Sequence, residues 1–260
     1  MATEQQGKVV ILTGASRGIG LATAHAILSS PNHKLVAVSR TRSALESLQS
    51  QYPSRVEILA GDISDLTLGA RAVDLAVSRF GRLDAVIVNH GTLEPVRKVA
   101  DISAEEWRAS FDVNVFGGLA VIQPAIPHLR TTNGTLILIS SGAATSAYQA
   151  WGPYGASKAV LNHLAATLAV EEPSIATVSI QPGVVDTAMQ DDIRGVHVAH
   201  MSEKDQQKFQ GLKADGNLLR PEQPGGVVAR FAVSDDGAAK RELSGRFLRW
   251  IAEELKAYQE

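Results

Sequence analysis

Three glycines, at positions 14, 18 and 20, lie between an apolar run and a helix-prone stretch, and they constrain this chain more than any other feature. Residues 8–13, KVVILT, are rich in Val and Ile and read as a buried strand. TGASRGIG follows without a break at 13–20, and residues 19–29 read as a helix. Glycine permits positive φ and a close approach of backbone to ligand. The helix that follows aims its free N–H groups and the positive end of its dipole at an anion. A glycine trio is common in loops; its place between strand and helix is what points to a dinucleotide pyrophosphate.

The same rhythm continues along the chain. Short apolar runs at 35–39, 56–60, 83–88, 135–139, 176–181 and 243–250 predict six more strands. Helical spacing is predicted at 43–51, 66–80, 154–170 and 222–233, with two helices filling 104–129. The strands are continuously apolar rather than alternating, which indicates a parallel sheet covered on both faces. The expectation is one α/β domain over 1–260, a Rossmann-like doubly wound sheet of about seven strands. Residues 186–219 break the rhythm. They are long, polar and helix-prone, and they follow a strand's carboxyl end, where ligands bind in open α/β sheets. They are predicted to form a substrate lid.

Composition removes several function classes. The 260 residues carry 25 Lys and Arg against 27 Asp and Glu, a net charge of −2. No basic excess points to nucleic acid or an anionic membrane as partner. There are no cysteines, so disulfides, thiolate metal sites and a Cys nucleophile are excluded, and no metal site is expected. Residues 1–8 are polar and lack an apolar signal core, and no apolar run reads as a membrane span. The expected location is the cytoplasm.

The end of the second strand selects the cofactor. An NAD site usually carries an acid there for the ribose 2′-hydroxyl. This chain has Ser39-Arg40-Thr41, with Arg17 inside the glycine turn. A guanidinium matches phosphate oxygens with a bidentate fork, whereas a carboxylate would repel a 2′-phosphate. The reading is NADP(H).

The reacting groups follow further along. Tyr154 and Lys158 are four residues apart on a predicted helix and so share a face. A free tyrosine has a pKa near 10, and a neighbouring ammonium favours the phenolate, so the pair makes sense as a tuned proton donor and acceptor. Ser141 closes the fifth strand, thirteen residues before Tyr154, where its hydroxyl can steady a carbonyl oxygen. Asn114 sits inside a helical stretch, a poor place for asparagine unless the helix is kinked or holds a water.

Taken in order and spacing, TGASRGIG at 13–20, Asp62-Ile63, Asn89-His90-Gly91, Asn114, Ser141, YxxxK at 154–158 and Pro182-Gly183-Val184-Val185-Asp186-Thr187 resemble a classical short-chain dehydrogenase/reductase across most of the chain. That resemblance implies hydride transfer between a nicotinamide and a carbonyl or alcohol carbon, here a ketone or diketone. It implies Tyr154 as acid/base, Lys158 as tuner of the phenol and holder of the nicotinamide ribose, Ser141 as positioner of the substrate oxygen, and Asn114 as holder of a relay water. Gly14, Ser16, Arg17, Gly18, Ile19, Gly20, Ser39 and Arg40 would bind the phosphate half of the cofactor. Asp62 and Ile63 would flank the adenine, and Asn89, His90 and Gly91 the middle. Pro182, Gly183, Val184, Val185 and Thr187 would contact the nicotinamide end. His90 departs from the family's small residue and reads as structural rather than catalytic. The ending after Leu243 is similar to fungal sepiapterin-reductase-like or benzil-reductase-like members. Small residues at 155, 156, 159, 165 and 166 imply a homodimer packed on that helix, with a tetramer as the alternative. Tyr148, Trp151, Met189, Val196 and Met201 are the candidate pocket residues. A non-catalytic NADP(H)-binding sensor on the same fold is the competing reading; it has no need of the four reacting positions, and all four are filled.

Arg40→Asp is expected to weaken NADPH binding and favour NADH, because it trades a phosphate-pairing cation for a repelling anion. Dissociation constants for both cofactors check this; an unchanged ratio would remove Arg40 as the phosphate reader.

Overall fold

In the computed structural model, which describes residues 7–259, seven strands form one parallel sheet in the order β3-β2-β1-β4-β5-β6-β7. The strands are β1 (Val9–Thr13), β2 (Lys34–Ser39), β3 (Val56–Ala60), β4 (Ala85–Val88), β5 (Thr135–Ile139), β6 (Ala176–Gln181) and β7 (Phe247–Arg249). The order runs outward from β1 in both directions, so the chain reverses between β1 and β4 and leaves a crevice at their carboxyl ends.

Alternate residues of each strand face opposite sides, and each side has its own helices. Val10 and Leu12 of β1 join Leu35 and Ala37 of β2 beneath α1 (Gly18–Leu28), α2 (Arg42–Gln51) and a later helix at Glu222–Val233. Val9, Ile11, Val36 and Val38 face the other way, beneath α3 (Thr67–Phe80) and the helices at Gly117–Thr132 and Gly152–Glu171. Both faces being covered explains why the strands read as unbroken apolar runs.

The second half of the chain carries α4 (Ala104–Phe111), α5 (Gly117–Thr132), α6 (Gly152–Glu171), α7 (Ala188–Arg194), α8 (Glu203–Ala214), α9 (Glu222–Val233) and α10 (Gly237–Glu242). Between α4 and α5, Asp112–Phe116 form a π-turn, so 104–132 is one continuous helical stretch rather than two separate helices. This is the distortion expected around Asn114. The stretch is long and apolar enough to pass for a membrane span by length and composition alone, which corrects the expectation that no apolar run here does so. Its apolar residues Val121, Ile122, Ala125 and Leu129 are buried against the sheet, and this accounts for its character.

Three boundaries differ from the sequence reading. β4 starts at Ala85, because Asp84 turns its carboxylate onto the Val9 N–H (2.9 Å) and Arg82. α6 starts at Gly152, with Pro153 in its first turn, where a missing N–H costs nothing. β7 shrinks to three residues: α10 occupies 237–242, and Gly245, at φ +80°, turns the chain into the strand. Residues 186–219 leave the carboxyl end of β6 and return at a bridge between Val185 and Leu219, holding α7 and α8 over that end of the sheet.

Candidate active site

The crevice between β1 and β4 opens into a cavity of about 550 Å³. Gly14, Ser16, Arg17, Gly18, Ile19, Gly20, Ser39, Arg40, Asp62, Ile63, Asn89, His90, Gly91 and Thr187 all line it. Gly14 and Gly18 adopt φ of +68° and +54°. A Cβ on Gly20 would sit 2.1 Å from the Gly14 carbonyl oxygen, so the turn closes only around glycine. No side chain caps the start of α1, which leaves its first N–H groups for an anion. The Ser39 hydroxyl is buried without a hydrogen-bond partner. Arg17 and Arg40 are exposed at the rim and form no ion pair among the described residues. The Asp62 carboxyl is held below its usual pKa by the Ser64 N–H and hydroxyl, then by the Arg40 charge. A glycine cradle, an uncapped helix, an orphaned hydroxyl and two arginines at the rim fit a nicotinamide dinucleotide.

Thr13, the last residue of β1, organises the back of this cavity. Its hydroxyl accepts from the Asn89 N–H (3.0 Å), and the Asn89 amide donates to the carbonyls of Thr13 (3.1 Å) and Gly14 (3.2 Å). The His90 ring lies between Thr13 Oγ1 at 2.7 Å and the Val113 carbonyl at 3.0 Å. A carbonyl can only accept, so Nε2 carries the proton and Nδ1 accepts from Thr13. Burial, and then the Lys158 charge, lower the His90 pKa to about 4, so the ring is neutral. His90 therefore joins the phosphate-binding turn to the π-turn that carries Asn114.

Asn114 is fully buried and lines neither cavity. Its oxygen accepts from the Thr92 N–H (2.8 Å), and its amide donates to the Thr92 carbonyl (2.9 Å) and to Ser157 (3.1 Å). The amide is thus committed to the loop after β4, through Thr92, and to the helix α6, through Ser157.

A second cavity, of about 240 Å³, adjoins the first and shares Ile19, Asn89, Gly91, Thr187 and Met189 with it. Ser141, Tyr154 and Lys158 line it, as do Pro182, Gly183, Val184 and Val185 at the end of β6. Burial raises the Tyr154 pKa, and a hydrogen bond with Ser141 partly offsets this. Lys158 Nζ donates to the Ile139 carbonyl at 2.8 Å and lies 5.8 Å from the Tyr154 ring centre. Burial pushes Lys158 itself down to about 8. The sequence suggested that the ammonium would draw the phenol down; here desolvation governs both groups, and the phenol is protonated at neutral pH.

A cluster of aromatic rings forms one wall of the second cavity. The Trp151 ring stands edge-on to Tyr154 at 6.0 Å, against Tyr148 at 4.7 Å, and stacked on Phe209 at 5.5 Å. Tyr148, Trp151 and Met189 line the cavity as the sequence suggested. Val196 does not; it is 72% exposed. Met201 is buried in the cluster beneath the cavity, packed with Phe209 and Ile193. Phe209, Lys208, Ile193, Gln190 and Leu93 were missed. Phe209 carried a legible signal, as it and Leu212 are apolar, three apart, on an otherwise polar helix.

Three comparisons place this geometry among known proteins. The family model described as short chain dehydrogenase matches residues 8–196. An uncharacterised oxidoreductase of Schizosaccharomyces pombe is 40% identical, over 95% of this chain and 98% of its own length. A Saccharomyces cerevisiae protein named benzil reductase ((S)-benzoin forming) is 36% identical, over 97% of this chain and 99% of its own. The crystal structure of a short chain dehydrogenase/reductase from S. cerevisiae superposes with a TM-score of 0.92 at 34% identity, covering 98% of this chain and all of that one.

His90→Ala would leave the Val113 carbonyl without its partner and remove one of the hydrogen bonds of the Thr13 hydroxyl, an expected loss of about 1–3 kcal/mol. Its pH signature follows from linkage. Between pH 6.5 and about 4 the unfolded chain binds a proton at His90 that the folded chain excludes, so stability falls as pH falls through that window. Urea unfolding across the window checks both: His90→Ala should be less stable at pH 7 and should lose part of the acid slope.

Proposed function

This chain belongs to the short-chain dehydrogenase/reductase family of nicotinamide-dependent oxidoreductases, and on that premise we propose that it is an NADP(H)-dependent carbonyl reductase acting on ketones or diketones. The observation that carries the reading is the buried, protonated Tyr154 phenol. It sits beside Ser141 and Lys158 in an aromatic cavity that opens into the dinucleotide crevice. A phenol whose pKa is raised by burial suits proton donation, and hence reduction. Ser39 with its orphaned hydroxyl, Arg40 and Arg17 support a 2′-phosphate.

A nicotinamide dinucleotide held by the glycine turn, Ser39 and Arg40 would supply the hydride chemistry. The remaining work belongs to the chain. Ser141 donates a hydrogen bond to the carbonyl oxygen and steadies the charge that develops there. Tyr154 gives that oxygen its proton. Lys158, as the ammonium, holds the ribose hydroxyls and helps return a proton to Tyr154. Because the Asn114 amide is committed to Thr92 and Ser157, a relay water at the π-turn would be held by main-chain carbonyl rather than by that amide. Residues 186–219 act as a lid. They are tethered over the cavity by Lys208 on the Tyr148 hydroxyl (2.8 Å), by Gln149 on the His200 carbonyl (2.9 Å), and by His197 beside Glu94 (3.2 Å). The benzil reductase named among the relatives supports a diketone or aryl ketone substrate, as does the aromatic wall.

The protein acts in the cytoplasm as a homodimer built on α5 and α6. In support, Phe116, exposed at the end of the π-turn that leads into α5, lines an apolar groove with Val99, Trp107 and Phe111, and Val160 is exposed on α6. Ala156, Ala159 and Ala166 remain available on α6. Gly155, whose Cβ would press on the Ala143 carbonyl, and Ala165, which is fully buried, serve the subunit's own packing. Light scattering at micromolar concentration should give twice the chain mass of 27.6 kDa; a monomer would overturn the assembly.

An NADPH-oxidation screen over ketones and diketones supplies the substrate for the test of chemistry. Tyr154→Phe should cut turnover at least about a hundredfold, the scale of losing a positioned general acid, while NADPH binding persists. Ser141→Ala should lower turnover mainly. Lys158→Ala should weaken NADPH binding as well. Lys158 is an ammonium below about 8 and an amine above it, so reduction should decline as pH rises through that value, a limb that Lys158→Ala loses. Near-normal turnover in Tyr154→Phe would overturn the mechanism; tight NADPH binding with no carbonyl ever reduced would favour a sensor.

A further inference from the structure

The substrate cavity is one-sided in charge. Among the residues that line it, Lys158 and Lys208 are cationic and none is a carboxylate. Lys158 lies at the reacting end. Lys208 lies at the other, beyond a row of rings in which Tyr154 meets Trp151 at 6.0 Å and Trp151 meets Tyr148 at 4.7 Å. Lys208 Nζ stands 4.9 Å from the Tyr148 ring centre and 5.3 Å from that of Phe209, and donates to the Tyr148 hydroxyl at 2.8 Å. It forms no ion pair among the described residues, whereas Lys213, further along α8, is paired with Asp186 at 2.9 Å. The contrast marks Lys208 as a cation held in place by aromatic faces, with its charge uncancelled at the cavity mouth.

We infer that Lys208 is a specificity-determining residue that selects ketone substrates bearing a carboxylate at the end distal to the reacting carbonyl: oxo acids with an apolar, preferably aromatic, body. The carbonyl lies against Ser141 and Tyr154, the body against Trp151 and Tyr148, and the anionic group meets Lys208. An unopposed cation at the rim attracts an anion through low-charge surroundings and repels an ammonium-bearing analogue. Because Lys208 belongs to α8, the same contact ties the segment at 186–219 to the bound substrate. This inference rests on the carbonyl-reductase reading.

The test uses the intact protein with NADPH and a matched pair of aryl diketones, benzil and its ring-carboxylated derivative. In the unmodified protein the carboxylated diketone should have the higher kcat/KM, by about fivefold at low salt, the size of a partly exposed charge contact. The advantage should shrink at high salt as the charges are screened. Lys208→Gln should erase it and Lys208→Glu should reverse it, read as the ratio of kcat/KM for the two diketones within each variant, so that any loss of the Tyr148 tether, which acts on both substrates, cancels. Equal kcat/KM for the two substrates in the unmodified protein, or an advantage that survives Lys208→Gln, overturns the inference. Failure of both substrates in every form would count instead against the diketone-reductase reading.

Discussion

The junction of β1 and β4 is the contact on which the rest of the site depends. The two strands are neighbours only because the sheet reverses its order between them, and their carboxyl ends are joined through one hydroxyl and one amide. Thr13 receives the Asn89 N–H, and the Asn89 amide spans the carbonyls of Thr13 and Gly14. The glycine turn can then pack so closely that a Cβ on Gly20 has nowhere to go. His90 extends the junction to the π-turn, and Asn114 carries it on to Thr92 and Ser157, one residue from Lys158. Cofactor cradle and reacting groups form one bonded unit.

Burial then sets the chemistry within that unit. Three titratable groups of the site are moved chiefly by loss of water: Tyr154 upward, Lys158 to about 8 and His90 to about 4. The Asp62 carboxylate opposes the His90 shift, but it is the smallest of the causes acting on that ring. The phenol is held as an acid, the imidazole as a neutral linker, and the lysine near the point where its charge can be gained or lost around physiological pH. This arrangement supports the proposed direction, reduction of a carbonyl.

Much of this was legible along the chain. Strand runs such as 56–60 and 135–139 are local features, because a strand buried on both faces must be apolar at every position. The glycines at 14, 18 and 20 and the pair Tyr154 and Lys158 were legible for the same reason, since turn geometry and helix periodicity are short-range. The errors arose where a distant residue decided the outcome. β4 loses Leu83 and Asp84 from its start because Asp84 is drawn to Val9, seventy-five residues away in sequence. Val196 and Met201 read alike as lid residues, yet one points to solvent and the other into the cluster under the cavity.

By itself, then, the sequence determined a doubly wound parallel sheet, the glycine turn that opens its first helix and the residues proposed to react, since each depends on residue type at short spacing. Only the tertiary structure decided how those groups behave. It placed His90 between Thr13 and Val113, turned the Asn114 amide away from the reacting atoms, and made desolvation rather than the Lys158 charge the force acting on Tyr154. It also brought Phe209 and Lys208 of α8 against Tyr148 and Trp151, sixty residues earlier, to complete the substrate cavity. The physical reason is the same in each case: burial and hydrogen-bond partnership are properties of neighbours in space, and no local spacing encodes which distant segment will supply them.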